Sequence, residues 1–287
     1  MLPIAGGARD LTEWSWEPGV VLPLLASVVV YARGAFALRR RAPRGGVRSW
    51  EIAAFAAGWL TTALALLSPL HEASEQIFTA HMIQHELLMV VAAPLFVLGR
   101  PIPVMLWAFP RDMRRWLGDV AHAAPVHGTW GVLTRPVDAW LIYGIVIWVW
   151  HIPAFYDLTL GSDAVHALQH ACFLGSALLF WWSVLRGGRR AAAGTAVLLL
   201  FTTAVHTSVL GALMTFSRTP WYPPYADGAS AWGLTPMGDQ QLAGLIMWIP
   251  LSVVYLVAAL GVLRRWLADS EWTVAQRERA VSAAVVP

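Results

Sequence analysis

Two five-residue segments of one pattern, HMIQH from His81 to His85 and HALQH from His166 to His170, lie near the start of long apolar runs. Side chains four residues apart on a helix project from one face about one turn apart, so each segment offers two imidazoles to one partner. Thioether sulfur lies along similar faces: Met89 extends the His81 and His85 stripe at i+8, and Met214 follows His206 by eight residues. Imidazole with thioether suits copper, whose monovalent form selects soft donors, whereas imidazole alone also suits zinc or haem iron. His81, His85, His166, His170, His206, Met89 and Met214 are therefore the candidate metal ligands.

The elements that must position them are membrane helices. The chain is 57% hydrophobic and 13% charged, with a mean hydropathy of +0.57; soluble domains carry about a quarter charged residues. Apolar runs long enough for a hydrocarbon core of ~30 Å lie at about 18–38, 50–68, 75–98, 137–153, 164–185, 193–217 and 241–263. They predict an all-α polytopic membrane helix bundle of seven transmembrane helices, one integral domain over residues 1–287. The run at 101–109 is short and broken by Pro101, Pro103 and Pro110, so it reads as interfacial or re-entrant.

Basic residues orient the bundle. All 20 are arginine. Arg39, Arg40, Arg41, Arg44 and Arg48 follow span one; Arg100, Arg111, Arg114, Arg115 and Arg135 follow span three; Arg186, Arg189 and Arg190 follow span five; Arg264, Arg265, Arg277 and Arg279 follow span seven. Only Arg9 and Arg218 fall on the other side. By the positive-inside rule the N-terminus is outside and the C-terminus cytoplasmic. Residues 1–17 lack a basic segment and a small-residue cleavage site, so span one is expected to direct insertion itself. Topology and anionic headgroups account for the pI near 9.4 without nucleic acid.

In this orientation His81 and His85 lie roughly 10–16 Å below the outer surface at ~1.5 Å per residue. His166 and His170 are shallower, and His206 sits about 16 Å before the exit of span six. His71 and His151 sit at the outer interface, open between ligand and solvated ring, while His122 and His127 read as solvated in a cytoplasmic loop. A lone intramembrane histidine more often bridges helices by hydrogen bonding, and methionine more often fills core space. Two HxxxH pairs at similar depth favour a metal or haem over those readings. Glu86 at mid-span costs ~2.5–3.5 kcal/mol if charged, so it reads as protonated or part of a proton path. Asp239, Gln240, Gln241 and Met247 at the start of span seven are candidate outer or transient ligands. Cys172 reads as core, and as the single cysteine it excludes an internal disulfide. The 17 tryptophans are mostly an aromatic belt.

The segments HMIQHELLMVVAAPLFVLGRP, HALQHACFL, HTSVLGALMTF, WYPPYA and DQQLAGLIMWIP together resemble the CtaG-type cytochrome c oxidase assembly factors over nearly the whole chain. That resemblance implies a multi-pass bacterial inner (plasma) membrane protein that helps copper reach a haem–copper oxidase, with the oxidase subunit, the copper ion and the bilayer as partners. It implies ion transfer and no covalent reaction, so the protein is not read as an enzyme. Two other readings stay open. Paired histidines from two helices could ligate b-type haem in an electron carrier, or Glu86 and the histidines could relay protons in a small transporter. A retinal protein is excluded, because its Schiff base requires lysine and the sequence has none.

The arginine asymmetry generates a direct test. Reporter fusions or cysteine labelling are expected to place residues 39–49, 111–135 and the C-terminus in the cytoplasm and the 218–239 loop outside; a cytoplasmic 218–239 loop would invert the assigned depth of every histidine.

Overall fold

The computed structural model describes residues 14–42, 45–186 and 190–285; Arg9, Arg44 and Arg189, used above for orientation, lie outside them. Proline marks where several helices begin, since its fixed φ suits the first turn and its missing N–H costs nothing there. Helices α1 (Pro18–Arg41), α2 (Ser49–Leu67) and α3 (Pro69–Gln76) lead to α4 (Phe78–Glu86), which runs through a π-helical turn (Leu87–Ala92) into α5 (Ala93–Gly99). The shorter elements α6 (Pro101–Leu106), α7 (Arg111–His122), α8 (Ala124–Leu133), α9 (Pro136–Trp150) and α10 (Pro153–Leu160) follow. Then come α11 (Asp163–Arg186) and α12 (Arg190–Thr215), a 3₁₀ turn (Pro223–Tyr225), α13 (Ala226–Ala231) and α14 (Pro236–Val285). Among the described residues there is no strand.

Among the described residues six segments are long and apolar enough to cross a membrane: Pro18–Arg41, Ser49–Leu67, Phe78–Gly99, Asp163–Arg186, Ala193–Thr215 and Pro236–Trp272. The expected span at 137–153 has a different form. Its helix α9 has 15 residues, or ~22 Å at 1.5 Å per residue, and reaches membrane length only together with α8, from which it bends by 70°. Pro136 at the start of α9 accounts for the break, since proline disfavours helix in the residue before it.

The run at 101–109 does not span, as its prolines indicate. Here α6 lies on α1, so close that a Cβ on Gly34 would collide with the Val104 carbonyl. The turn before it holds Arg100 in a left-handed conformation at φ 51°. The Tyr31 hydroxyl donates to the Gly99 carbonyl (2.8 Å), Arg186 donates to the Val97 and Leu98 carbonyls (3.0 and 3.2 Å), and Arg100 pairs with Glu51 at 3.3 Å. The last carbonyls of α5 thus have partners despite the chain reversal.

Helices α12 and α14 meet along small residues, as membrane helices do when dispersion rather than water expulsion drives packing. A Cβ on Gly211 would lie 2.7 Å from the Gly244 carbonyl, one on Gly244 would lie 2.6 Å from the Gly211 carbonyl, and the Ser208 and Ser252 hydroxyls sit 2.9 Å apart. Gly211→Val is expected to force this seam open and cost about 1–3 kcal/mol, the usual scale of overpacking, read as a lowered unfolding temperature in detergent; an unchanged temperature would show that the seam is not load-carrying.

Candidate metal centre

The N-terminus of α4 is where the sequence places its first histidine pair, and four N–H groups there need partners. Asp239, from the first turn of α14, supplies two of them. Its carboxylate accepts from the Phe78 N–H (2.8 Å) and the Thr79 N–H (2.9 Å), and the Thr79 hydroxyl donates to the Asp239 carbonyl (3.0 Å). A carboxylate at a helix N-terminus also meets the positive end of the helix dipole. Asp239 is thus a helix cap delivered from 160 residues away, which accounts for a residue first considered as an outer ligand. Gln240 is also engaged at both ends, accepting from the Trp221 N–H and donating to the Met214 carbonyl.

The cap sets His81 and His85 inward, where they meet His166 and His170 of α11. Ring centroids are 4.3 Å apart for His81 and His85, 5.0 Å for His81 and His166, 6.0 Å for His81 and His170, 5.3 Å for His85 and His170, and 4.3 Å for His166 and His170. All four side chains are buried. Ligand nitrogens of His81, His166 and His170 lie within 4.8 Å of one another. Two nitrogens bound at ~2.0 Å can be at most ~4 Å apart, so a movement of about 1 Å would let all three bind one ion.

Hydrogen bonding marks the same place. Neither ring nitrogen of His85, nor Nε2 of His166 or His170, has a partner, although all four atoms are buried. Unpaired buried polar atoms are rare and usually point to strain, a ligand or an ion. His81 is held from outside the group. Its Nδ1 lies 3.0 Å from the Tyr225 hydroxyl and its Nε2 lies 3.2 Å from the side-chain amide of Gln169. Tyr225 also reaches the Ser74 carbonyl at 3.1 Å. With the phenol proton committed to Ser74, Nδ1 of His81 is the donor and Nε2 keeps its lone pair, a tautomer assigned from the network. The Gln169 oxygen is the atom at 3.2 Å; assigned the other way round, the same amide would bring its otherwise unpartnered Nε2 to that lone pair. A metal binding His81 through Nε2 displaces the Gln169 side chain from that nitrogen, while the Tyr225 hydroxyl keeps the ring oriented. Burial, followed by the nearby Asp239 and Glu75 carboxylates, raises the Tyr225 phenol above its ordinary value, so it remains protonated at physiological pH.

The WYPPYA segment closes this side. The Tyr222 hydroxyl donates to the His151 carbonyl (2.7 Å), the Tyr156 and Tyr225 hydroxyls pair at 3.2 Å, and Phe78 packs between Tyr156 (5.4 Å) and Tyr222 (4.5 Å).

Other candidates fall elsewhere. The His206 ring packs 6.2 Å from Trp140 and over Gly144, because α12 lies against α9 and α14. Met89 and Met214 are buried in the main apolar cluster with Met247. The π-helical turn from Leu87 interrupts the 3.6-residue periodicity on which the Met89 stripe rests. Glu86 is buried, and its Oε1 lacks a partner. His122 and His127 stack at 6.3 Å on the exposed α7 and α8, and Cys172 is half-buried.

Two residues left open by the sequence join the group's surroundings. The His71 ring stacks on His166 at 5.7 Å, with Gln84 Nε2 3.2 Å from its Nδ1. His151 is buried beside Phe173, its Nδ1 on the Ile147 carbonyl and its Nε2 unpartnered. Both sit at helix ends, where no periodic pattern points to them.

The sequence matches the family described as cytochrome c oxidase caa3 assembly factor over residues 29–269. It is 26% identical to uncharacterized proteins of Mycobacterium bovis and Mycobacterium tuberculosis, and 22% identical to one of Mycobacterium leprae, across 94% of this chain and 42% of each relative. The chain therefore spans less than half the length of the curated relatives it matches. No solved structure matches it.

Removing the cap is the test of how the centre is positioned. Asp239→Ala is expected to cost about 2–6 kcal/mol by leaving two buried N–H groups unmet at about 1–3 kcal/mol each, seen as a lowered unfolding temperature, whereas Gln241→Ala, on an exposed position, is expected to leave it unchanged.

Proposed function

The chain belongs to the cytochrome c oxidase caa3 assembly factor family and is a multi-pass protein of the bacterial plasma membrane, and from that premise we propose that it carries copper to the oxidase. The observation that supports this most is the buried group of His81, His166 and His170 with its nitrogens within 4.8 Å. Copper on the outer side of the membrane is held by these three imidazoles. His85, with both nitrogens unpartnered, stands beside them as a further donor for the ion during exchange. His206, Met89 and Met214 stay outside this ligand set.

The donor chemistry fits a cargo. Neutral imidazoles bind copper in either oxidation state. A structural site is closed by a full set of ligands, often with carboxylates fixing the histidines; here the partner behind His81 is the Tyr225 phenol. The ion passes to an oxidase subunit by ligand exchange, with no covalent bond made or broken in either protein. The arginine-rich ends face the cytoplasm, and the histidine group lies in the outer half of the membrane.

Haem fits less well. Two imidazoles must flank a flat porphyrin from opposite sides, whereas the four rings pack on one another at 4.3–6.0 Å.

Metal analysis of the purified protein tests the proposal. His81→Ala, His166→Ala and His170→Ala are each expected to lower bound copper about tenfold or more, since even the outer partners of metal ligands are worth 10–100-fold. Tyr225→Phe is expected to lower it less, and His122→Ala or His127→Ala to leave it unchanged. If the rings only bridge helices, worth ~0.6–2 kcal/mol each, the same substitutions would lower stability with copper per folded chain unaltered. A Soret band surviving purification would replace this reading with the electron carrier.

A further inference from the structure

A cavity of about 350 Å³ opens beside the histidine group, between α1, α2 and α11. Most of its wall is apolar, from residues such as Leu24, Leu66 and Leu174. Its mouth is not. Glu17 precedes α1, Glu75 lies near the end of α3 and Asp163 begins α11; all three line the cavity and are exposed. At its inner side the cavity reaches His166 and His170, each 8% exposed and each with Nε2 unpartnered. These are two of the three histidines in the metal-sized group. His71 also lines it, its ring stacked on His166.

We propose that this cavity is the inlet through which a copper cation reaches the histidine group, with Glu17, Glu75 and Asp163 as an electrostatic mouth and His166 as the first ligand encountered. The inference rests on the copper reading above and adds the route.

The physical argument is one of succession. Negative charge at the rim of a cleft with low-dielectric walls focuses the field and raises the local concentration of cations. Asp163 lies three residues before His166, so on α11 both occupy neighbouring positions of one face. An ion drawn to the mouth next meets Nε2 of His166, then His170 one turn deeper, and then His81. His71 is the wall of this passage and not a ligand, because the Gln84 amide nitrogen, fixed by the Ala65 carbonyl, donates to its Nδ1 and so leaves the ring proton on Nε2. The tyrosine-rich loop covers the other side of His81, so the cavity is the side on which the group is accessible.

The test uses the full chain in nanodiscs of neutral lipid, with copper(I) supplied as its acetonitrile cation and unbound metal captured by bicinchoninate at timed intervals. The triple variant Glu17→Gln, Glu75→Gln, Asp163→Asn is expected to load about tenfold more slowly at low salt, the lower end of electrostatic steering. Its rate should respond less to added salt, and its final copper per chain should equal that of the unaltered protein. Asp112→Asn, Asp119→Asn and Asp138→Asn together remove the same charge away from the cavity and are expected to leave the rate unchanged. A triple-variant rate within twofold of the unaltered protein would overturn the inlet while leaving the copper site standing. Parallel loss of rate and final copper would overturn it too, by making the acids part of the ligand set or the fold. An unaltered protein that takes up no copper would refute the copper reading itself, and the inlet with it.

Discussion

The contact between Asp239 and the first turn of α4 is the constraint on which the rest of the centre depends. Two N–H groups buried among apolar side chains would each cost about 1–3 kcal/mol without a partner, and a buried carboxylate without donors would cost far more. Joined, they satisfy each other with charge-assisted bonds. The contact fixes the start of α4 against the start of α14, and with it the depth and rotation of His81 and His85. It also organises the covering loop, because the next residue, Gln240, bonds the Trp221 N–H and the Met214 carbonyl. One turn of α14 therefore sets both the floor and the lid of the histidine group.

The group so positioned is poorly satisfied by its own protein. Several buried polar groups outside it are matched: Tyr31 meets Gly99, Trp181 donates to the Met89 carbonyl, and Arg186 covers two helix-end carbonyls; Glu86 Oε1, Trp140 Nε1 and both nitrogens of His206 are not. Among the histidines the nitrogens of His85, His166 and His170 go without. A chain consistent at other levels departs from that consistency where function requires it.

Much of this was legible in the sequence, and for definite reasons. Apolar runs revealed the helices because lipid leaves the backbone no other partner. The HxxxH pairs were legible because i and i+4 share a face on any α-helix, and the structure brings both pairs together. Legibility failed where periodicity failed. The π-helical turn interrupts the stripe from His85 to Met89, and no pattern marks His71 and His151, which reach the group through chain reversals. Asp239 was visible as an acidic residue at a helix start, but its partner lies 160 residues away. His206 has the right residue type and the right depth, yet α12 packs on α9 and α14, and nothing in its own span reveals which neighbour it will face.

The two sides of the histidine group differ in a way that suits passage more than storage. On one side Phe78, Tyr156, Tyr222 and Tyr225 interlock, and the Tyr225 hydroxyl holds His81 in the tautomer that keeps the lone pair on Nε2. On the other, apolar walls lead from an acidic mouth to unpartnered nitrogens. In the proposed role an ion gains affinity from several imidazoles at once, and since among the described residues no carboxylate is hydrogen-bonded to any of them, each bond stays replaceable. Adding such a carboxylate would strengthen binding, and by the same change slow release. The hydrogen bond from His81 to a neutral phenol is strong enough to set the tautomer without making the imidazole as basic as an aspartate would. That balance between orientation and basicity is what a site must strike if the oxidase is to take the ion away.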